Sequence, residues 1–133
     1  MVELLRLRMP RGWVVLDNKL YDTDPKVADG SNFITNWEHG FVEDVLWIQE
    51  CMINSQGEYV IPKINHFNID VSWLPDSNID GKYFAKLNWM AEDEMYNIES
   101  FESMDRKQIR SKIEFWMKDI KSYDSVFKTR IKK

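Results

Sequence analysis

The sequence predicts an α+β fold: an antiparallel β-sheet with two main helices packed on one face, a two-layer sandwich. Three observations carry that expectation. Two alternating apolar runs flank a turn-forming loop between Asn68 and Asn88. Two stretches, one after Asn36 and one after Asp105, repeat apolar residues at helical spacing. The resulting order is strands, helix, strands, helix, which lets both helices cover one face of a single sheet. At 133 residues the chain reads as one domain, 1–133. A chain of this size hides roughly two thirds of its unfolded surface, enough for a core without cross-links.

Taken in order, Leu5, Leu7 and Met9 alternate with Arg6 and Arg8, an edge-strand pattern that Pro10, Arg11 and Gly12 break. Trp13 to Leu16 is a short apolar run suited to a strand buried on both faces, and Asp17 and Asn18 mark a turn. Residues Asp22 to Asn32 have loop composition. Phe41, Val45, Ile48 and Met52 fall on one helical stripe, widened by Val42, Leu46 and Ile53, in a first helix that starts at Asn36 or a neighbour. Gly57, after Asn54, Ser55 and Gln56, ends it. Tyr59 to Ile64 reads as a strand interrupted by Pro62, which cannot donate a ladder hydrogen bond, so it lies at an edge or ends early.

The hairpin comes next and forms the centre of the expected sheet. Ile69, Val71 and Trp73 alternate with Asn68, Asp70 and Ser72; Tyr83, Ala85 and Leu87 alternate with Lys82, Phe84 and Lys86. Each run therefore offers one apolar face. Trp89 to Met95 is loop-like and acidic, and Tyr96, Ile98 and Phe101 make a last strand. Asp105 caps the second helix, with Gln108 at the capping-box position, followed by Ile109, Ile113, Trp116, Met117 and Ile120 at helical spacing. Beyond Tyr123, Val126, Phe127 and Ile131 stand among basic residues, and 123–133 reads as a basic tail with no pattern that fixes its packing.

Composition narrows the function classes. Hydrophobic residues at 44% and aromatics at 14% argue for a folded globule and against disorder. A single cysteine, Cys51, excludes an internal disulfide framework and fits a reducing compartment. No apolar run approaches a membrane span. The segment Val2 to Met9, broken by Glu3, Arg6 and Arg8, lacks the core of a signal peptide, so the cytoplasm is the expected location. Charge is uneven. Residues 1–105 hold eight Lys/Arg against nineteen Asp/Glu, and residues 106–133 hold ten against three. The acidic body would repel nucleic acid and suits a basic protein partner, although acidic surface also serves solubility. A nucleic-acid binder using Lys118 to Lys133 would need those cations gathered on one exposed face.

No residue set forms a recognisable catalytic signature. Asp76, Asn78, Asp80 and Gly81 match the first half of an EF-hand loop, but the twelfth position, which should be a bidentate Glu, is Leu87. A hairpin loop accounts for the same residues. Glu38 and His39, with Asp22 and Asp24, could be drawn as an acid–base or metal set; the competing reading is a solvated loop and a helix start. Cys51 and His66 would need contact and an orienting third group to make a nucleophile, and a cysteine on an apolar helix face acts as a small hydrophobe. There is no Gly-rich phosphate loop, CxxC pair or GxSxG elbow. No catalytic residue, cofactor or metal is expected. Trp13 and Trp116 read as core; Trp37, Trp73 and Trp89 stand beside polar residues and either cap core edges or anchor a partner.

A resemblance adds to this. Asp70, Val71, Ser72, Trp73, Leu74 and Pro75, then Asp80, Gly81, Lys82 and Tyr83, then Glu99 to Ser103 leading into Ile109 to Trp116, resemble small bacterial immunity proteins that accompany secreted or contact-dependent growth-inhibition toxins. The likeness spans residues 68–117. It implies a cytoplasmic, non-enzymatic protein that binds and neutralises a cognate toxin, often a nuclease; the chain itself is expected to be a monomer or a weak homodimer. On that view the partner-binding residues are Asp76, Asp80, Glu92, Asp93 and Glu94, with Trp73 or Trp89 as anchors. The alternative is a small enzyme or ligand-binding domain with a site near Glu38 and His39.

Overall fold

The structure, a computed structural model, describes residues 2–131, with 120–131 as helix backbone. Strands β1 (Trp13–Asn18), β2 (Leu46–Glu50), β5 (His66–Leu74), β6 (Lys82–Met90) and β7 (Met95–Ser103) form one sheet in the order β1-β2-β5-β6-β7. Every neighbouring pair is antiparallel. Two short strands, β3 (Met52–Ile53) and β4 (Tyr59–Val60), pair only with each other. One helix, α1 (Arg106–Ile131), packs against β6 and β7. The fold is α+β, as the patterning implies, but with one α-helix among the described residues instead of two.

The hairpin forms at the expected place and register. Ile69 faces Leu87, Val71 faces Ala85 and Trp73 faces Tyr83, and all six side chains are buried. Phe41, Trp73 and Tyr83 meet edge-on or tilted, with Phe41–Trp73 centroids 5.1 Å apart and Trp73–Tyr83 centroids 4.9 Å apart. The loop between the strands wraps the Trp73 indole, whose Nε1 donates to the Asn78 carbonyl at 2.9 Å. Gly81 lies against that indole and the Leu74 carbonyl, where no side chain fits.

The first helix is the main correction. Residues 36–53 hold only a short 3-10 turn, Trp37–His39, followed by β2 and β3. The stripe Phe41, Val45, Ile48 and Met52 has helical spacing, but Met52 and Ile53 end up exposed. Inside β2 the period is two: Leu46 and Ile48 face the core, while Trp47 and Gln49 face the other way. The β-branched and aromatic residues of this run suit a central strand, and pairing with both β1 and β5 decides the matter. Asp44, with φ 56°, also stops any helix just before it.

Smaller corrections follow from topology. Leu4 makes one bridge to Tyr21, but residues 2–9 form no strand. β1 is an edge strand that is partly exposed, not buried on both faces. β4 does end before Pro62, as a residue without a ladder donor requires. Trp89 lies inside β6, not in a loop. In β7 the register shifts opposite Leu87 and Asn88, so Ile98 is an extra, bulged residue. The bulge reverses which face odd-numbered residues take: Glu99 and Phe101 face α1, whereas Met95 and Asn97 face away.

The second helix starts where Asp105 predicts. The Lys107 amide donates to Asp105 Oδ1 at 2.8 Å. The capping box itself is not closed by Gln108. Its Oε1 accepts from Ser103 Oγ at 2.6 Å, and that hydroxyl in turn accepts from the Asp105 amide at 3.0 Å. Ile109, Ile113, Trp116 and Met117 fill the core between helix and sheet. Arg106 pairs with Asp22 at 2.9 Å and Asp24 at 2.7 Å, tying the loop before the sheet to the helix start. Through residues 123–131, expected as a tail, the backbone continues the helix. The side chains of Ile120, Val126, Phe127 and Ile131 lie outside the described residues.

Candidate functional site: the polar face of the sheet

Alternation sends one set of side chains to the core and the other to the opposite face, where no helix packs among the described residues. On that opposite face four carboxamides line up across four strands. Gln49 on β2 faces Asn68 on β5, Asn68 faces Asn88 on β6, and Asn88 faces Asn97 on β7. Asn88, 1% exposed, donates from Nδ2 to Asn68 Oδ1 and to Asp70 Oδ2, each at 3.0 Å. Asn97 Nδ2 donates to Asn88 Oδ1 at 3.2 Å, and Ser100 Oγ donates to Asn97 Oδ1 at 3.0 Å. Such a chain of polar contacts in a central sheet stays favourable only while each member has a partner.

Beside this row opens a cavity of about 570 Å³ whose wall includes Gln49, His66, Asn68, Asp70, Trp47 and Met95. Burial pushes the Asp70 carboxyl above its ordinary value; the Asn88 hydrogen bond and the Lys86 charge pull the other way, and Asp44 adds to the rise. Burial pushes the His66 imidazole below its ordinary value, partly opposed by a hydrogen bond at the Ile64 backbone, so the ring is neutral at pH 7. Trp47, 48% exposed, is the indole that periodicity hid inside the expected helix.

The sequence-level candidates divide into two groups. Asp76 and Asp80 lie in the β5–β6 loop; Glu92, Asp93 and Glu94 lie in the β6–β7 turn. All five are exposed, but the two groups sit at opposite ends of β6, whose nine residues span about 30 Å. Asp76 is engaged locally, its Oδ2 accepting from the Glu43 amide at 3.0 Å and its Oδ1 from Ser77 Oγ at 2.6 Å. The Asp80 amide donates to Asn78 Oδ1 at 2.8 Å, so this segment is a closed turn, as the hairpin reading holds. Trp73 and Trp89 are buried at 1% and 0% exposure; as core residues they present no surface to a partner. They pack there because both point to the α1 side of the hairpin.

The alternative set near the 3-10 turn is likewise placed. Glu38 Oε1 stands 3.9 Å from His39 Nε2, and the His39 ring packs on Tyr21. Asp22 and Asp24 are directed to Arg106. No group of three or more potential metal ligands gathers among the described residues. Cys51 and His66 line different cavities, Cys51 beside Gly12, Tyr59 and Ile61.

The acidic turn has neighbours that the sequence did not reveal. β5 begins where β6 ends, with the Asn65 amide donating to the Met90 carbonyl at 2.6 Å. The β3–β4 arm therefore leaves the sheet at the same end as Glu92, Asp93 and Glu94. A groove of about 410 Å³ runs between Ile64, Asn65 and that turn. Met52, Ile53, Tyr59, Val60, Ile61 and Ile64 are each more than 40% exposed, an apolar cluster of the kind that marks interaction surfaces. No helix among the described residues is long and apolar enough to cross a membrane. No family model, no curated protein and no solved structure matches the chain.

Proposed function

We propose that this chain is a non-catalytic inhibitor of the immunity type, a cytoplasmic protein that binds and neutralises a basic toxin domain, a nuclease being the class that fits best. The observation that carries this reading is that the exposed Glu92–Asp93–Glu94 turn and the exposed apolar arm around Ile53 and Tyr59 leave the sheet at the same end. Carboxylates speed encounter with a basic surface, and desolvated apolar and aromatic side chains lengthen the life of the complex. The negative balance of residues 1–105 points the same way. Asp76 and Asp80, at the far end, belong to the general acidic field and not to the contact.

The test uses the products of the reading frames that flank the gene. One of them should arrest growth when expressed alone and be silenced by this chain. Protection should fail in an Ile53→Ser/Tyr59→Ser variant, and association should slow about ten-fold or more between low and high salt. A toxin neutralised equally well by that variant, at a rate indifferent to salt, would overturn the reading.

A further inference from the structure

The β3–β4 arm lacks the devices by which a folded chain keeps its strand edges to itself. Met52 faces Val60 and Ile53 faces Tyr59 across the hairpin, so alternation puts one pair on each side of it. Both sides are therefore apolar, and all four residues are exposed. Neither strand pairs with any other strand among the described residues, so the outer edges of the hairpin have no strand beside them. A lone two-stranded hairpin is marginally stable in water, and exposed edges are ordinarily guarded by charged side chains, lysine above all. Here residues 51–62 carry one charged side chain, Glu58, whose Oε1 accepts from Asn54 Nδ2 at 3.3 Å inside the turn.

Charge, shape and area together select the occupant. Residues 1–105 hold eight Lys/Arg against nineteen Asp/Glu, so two copies of this chain repel over most of their surfaces. The nearly neutral arm is where they can meet without opposing carboxylates. A two-fold contact must also be self-complementary, with exposed side chains and a recess for them in one patch. The arm has both. Met52 and Val60 stand out to solvent, and a cleft of about 340 Å³ runs between Tyr59, Ile61, Trp13 and Cys51. Met52, Ile53, Tyr59, Val60 and Ile61 together expose about 550 Å², near the top of the range for patches on stable monomers. Two copies that bury most of it remove about 1,000 Å² from water, the least that a specific contact needs.

We propose that the arm docks against the arm of a second copy of this chain, in a weak two-fold dimer. Each hairpin offers a strand to the other's open edge and apolar side chains to the other's cleft. An interface this small holds with a dissociation constant on the order of tens of micromolar. The contact stands without the inhibitor reading. Its consequence rests on that reading: toxin and second copy compete for one arm, so the free protein covers its apolar surface until the toxin displaces the second copy.

The experiment follows the full chain by sedimentation velocity from about 1 to about 500 µM, with nitrogen–proton correlation spectra recorded on dilution over the same range. The mean mass should climb from one copy toward two. Dilution should shift the amides of residues 52–61 and leave Asp76 and Asp80, at the other end of β6, unmoved. Added sodium chloride should leave the dimer level or tighten it about two-fold, because it screens the repulsion between two acidic bodies. The Ile53→Ser/Tyr59→Ser variant should stay monomeric throughout. Leu16→Ser on β1 and Phe115→Ser on α1, both at exposed apolar positions, should dimerise like the unsubstituted chain. A monomer at about 500 µM, or a dimer that survives the arm substitutions, overturns the proposal. So does an affinity that falls with salt, the mark of the basic 106–133 region of one copy resting on the acidic body of another. A toxin bound to an intact dimer would move the toxin contact off the arm and leave the dimer standing. A chain that neutralises its toxin and never dimerises would do the reverse.

Discussion

Removing Asn88 tests whether the carboxamide row holds the sheet together. Asn88→Ala deletes three contacts at a position 1% exposed: the donations to Asn68 and Asp70 and the acceptance from Asn97. The two neutral bonds contribute about 1 kcal/mol each, and the bond to the Asp70 carboxylate about 1.5 kcal/mol at the lower end for a charged, half-buried group. The sum is about 3.5 kcal/mol, a large part of the ~5–15 kcal/mol that holds a domain of this size. In urea, with a slope of about 2 kcal/mol per molar, the midpoint should fall by nearly 2 M. The loss should also depend on pH. The Asn88 bond holds the Asp70 carboxyl down against the rise from burial. Once acid neutralises Asp70, the charged share of the bond disappears, and the variant should lose less. Urea titrations at neutral and acidic pH read both effects. A loss below about 1 kcal/mol, equal at both pH values, would show that the row is not a network and that its partners re-pair with water.

Four further outcomes can be checked alongside. Gly81→Ala should cost about 1–3 kcal/mol in thermal or urea unfolding, because a Cβ there meets the Trp73 indole and the Leu74 carbonyl and the packed ring cannot retreat. Arg106→Ala should cost about 1–2 kcal/mol and speed hydrogen exchange around Asp22 and Asp24, since its side chain is only 20% exposed and holds both carboxylates. Ile53→Ser with Tyr59→Ser should change stability by less than about 0.5 kcal/mol, because both side chains already face solvent. Asp70→Asn should raise the melting temperature at pH 7. Its pKa is raised in the fold, so the folded state holds the proton more tightly from 3.8 up to the folded value and loses stability as pH climbs through that window. His66, lowered from 6.5, acts with the opposite sign: stability is complete above 6.5 and drains as pH falls toward the folded value.

The parts that could be read from sequence are those whose signals are local. The β5–β6 hairpin shows its period in the alternation from Ile69 to Leu87, and α1 announces itself through Asp105 and the spacing of Ile109, Ile113 and Trp116. β2 could not be read that way. Intervals of four, three and four between Phe41, Val45, Ile48 and Met52 satisfy a helix, while Leu46 and Ile48 also satisfy a strand. Only the neighbours on either side, β1 and β5, choose between them, and those are set by distant residues. The polar face suffered from the same blindness. Asn68 and Asp70 were visible as the solvent-side half of a strand. Gln49 joins them only if β2 lies alongside, and Asn97 only because Ile98 bulges. Trp47 belongs to that face for the same reason. The tryptophans beside polar residues misled in the other direction: Trp73 and Trp89 have polar neighbours because strands alternate, and both are core.

The carboxamide row is complete in its middle and open at one end, and the reason lies in β1. Asn68, Asn88 and Asn97 satisfy one another, but the cross-strand neighbour of Gln49 on the outer side is Val14, which has nothing to offer its Nε2. The unpaired atom is therefore a consequence of one apolar residue on an edge strand. Val14→Thr keeps the β-branched shape and places a hydroxyl across from Gln49, within the ~5 Å that separates directly opposed Cβ atoms. The added bond should stabilise the fold by about 1 kcal/mol, read by urea titration of the variant beside the unsubstituted protein. A stability unchanged or lowered would show that the Gln49 amide already finds its partner in water.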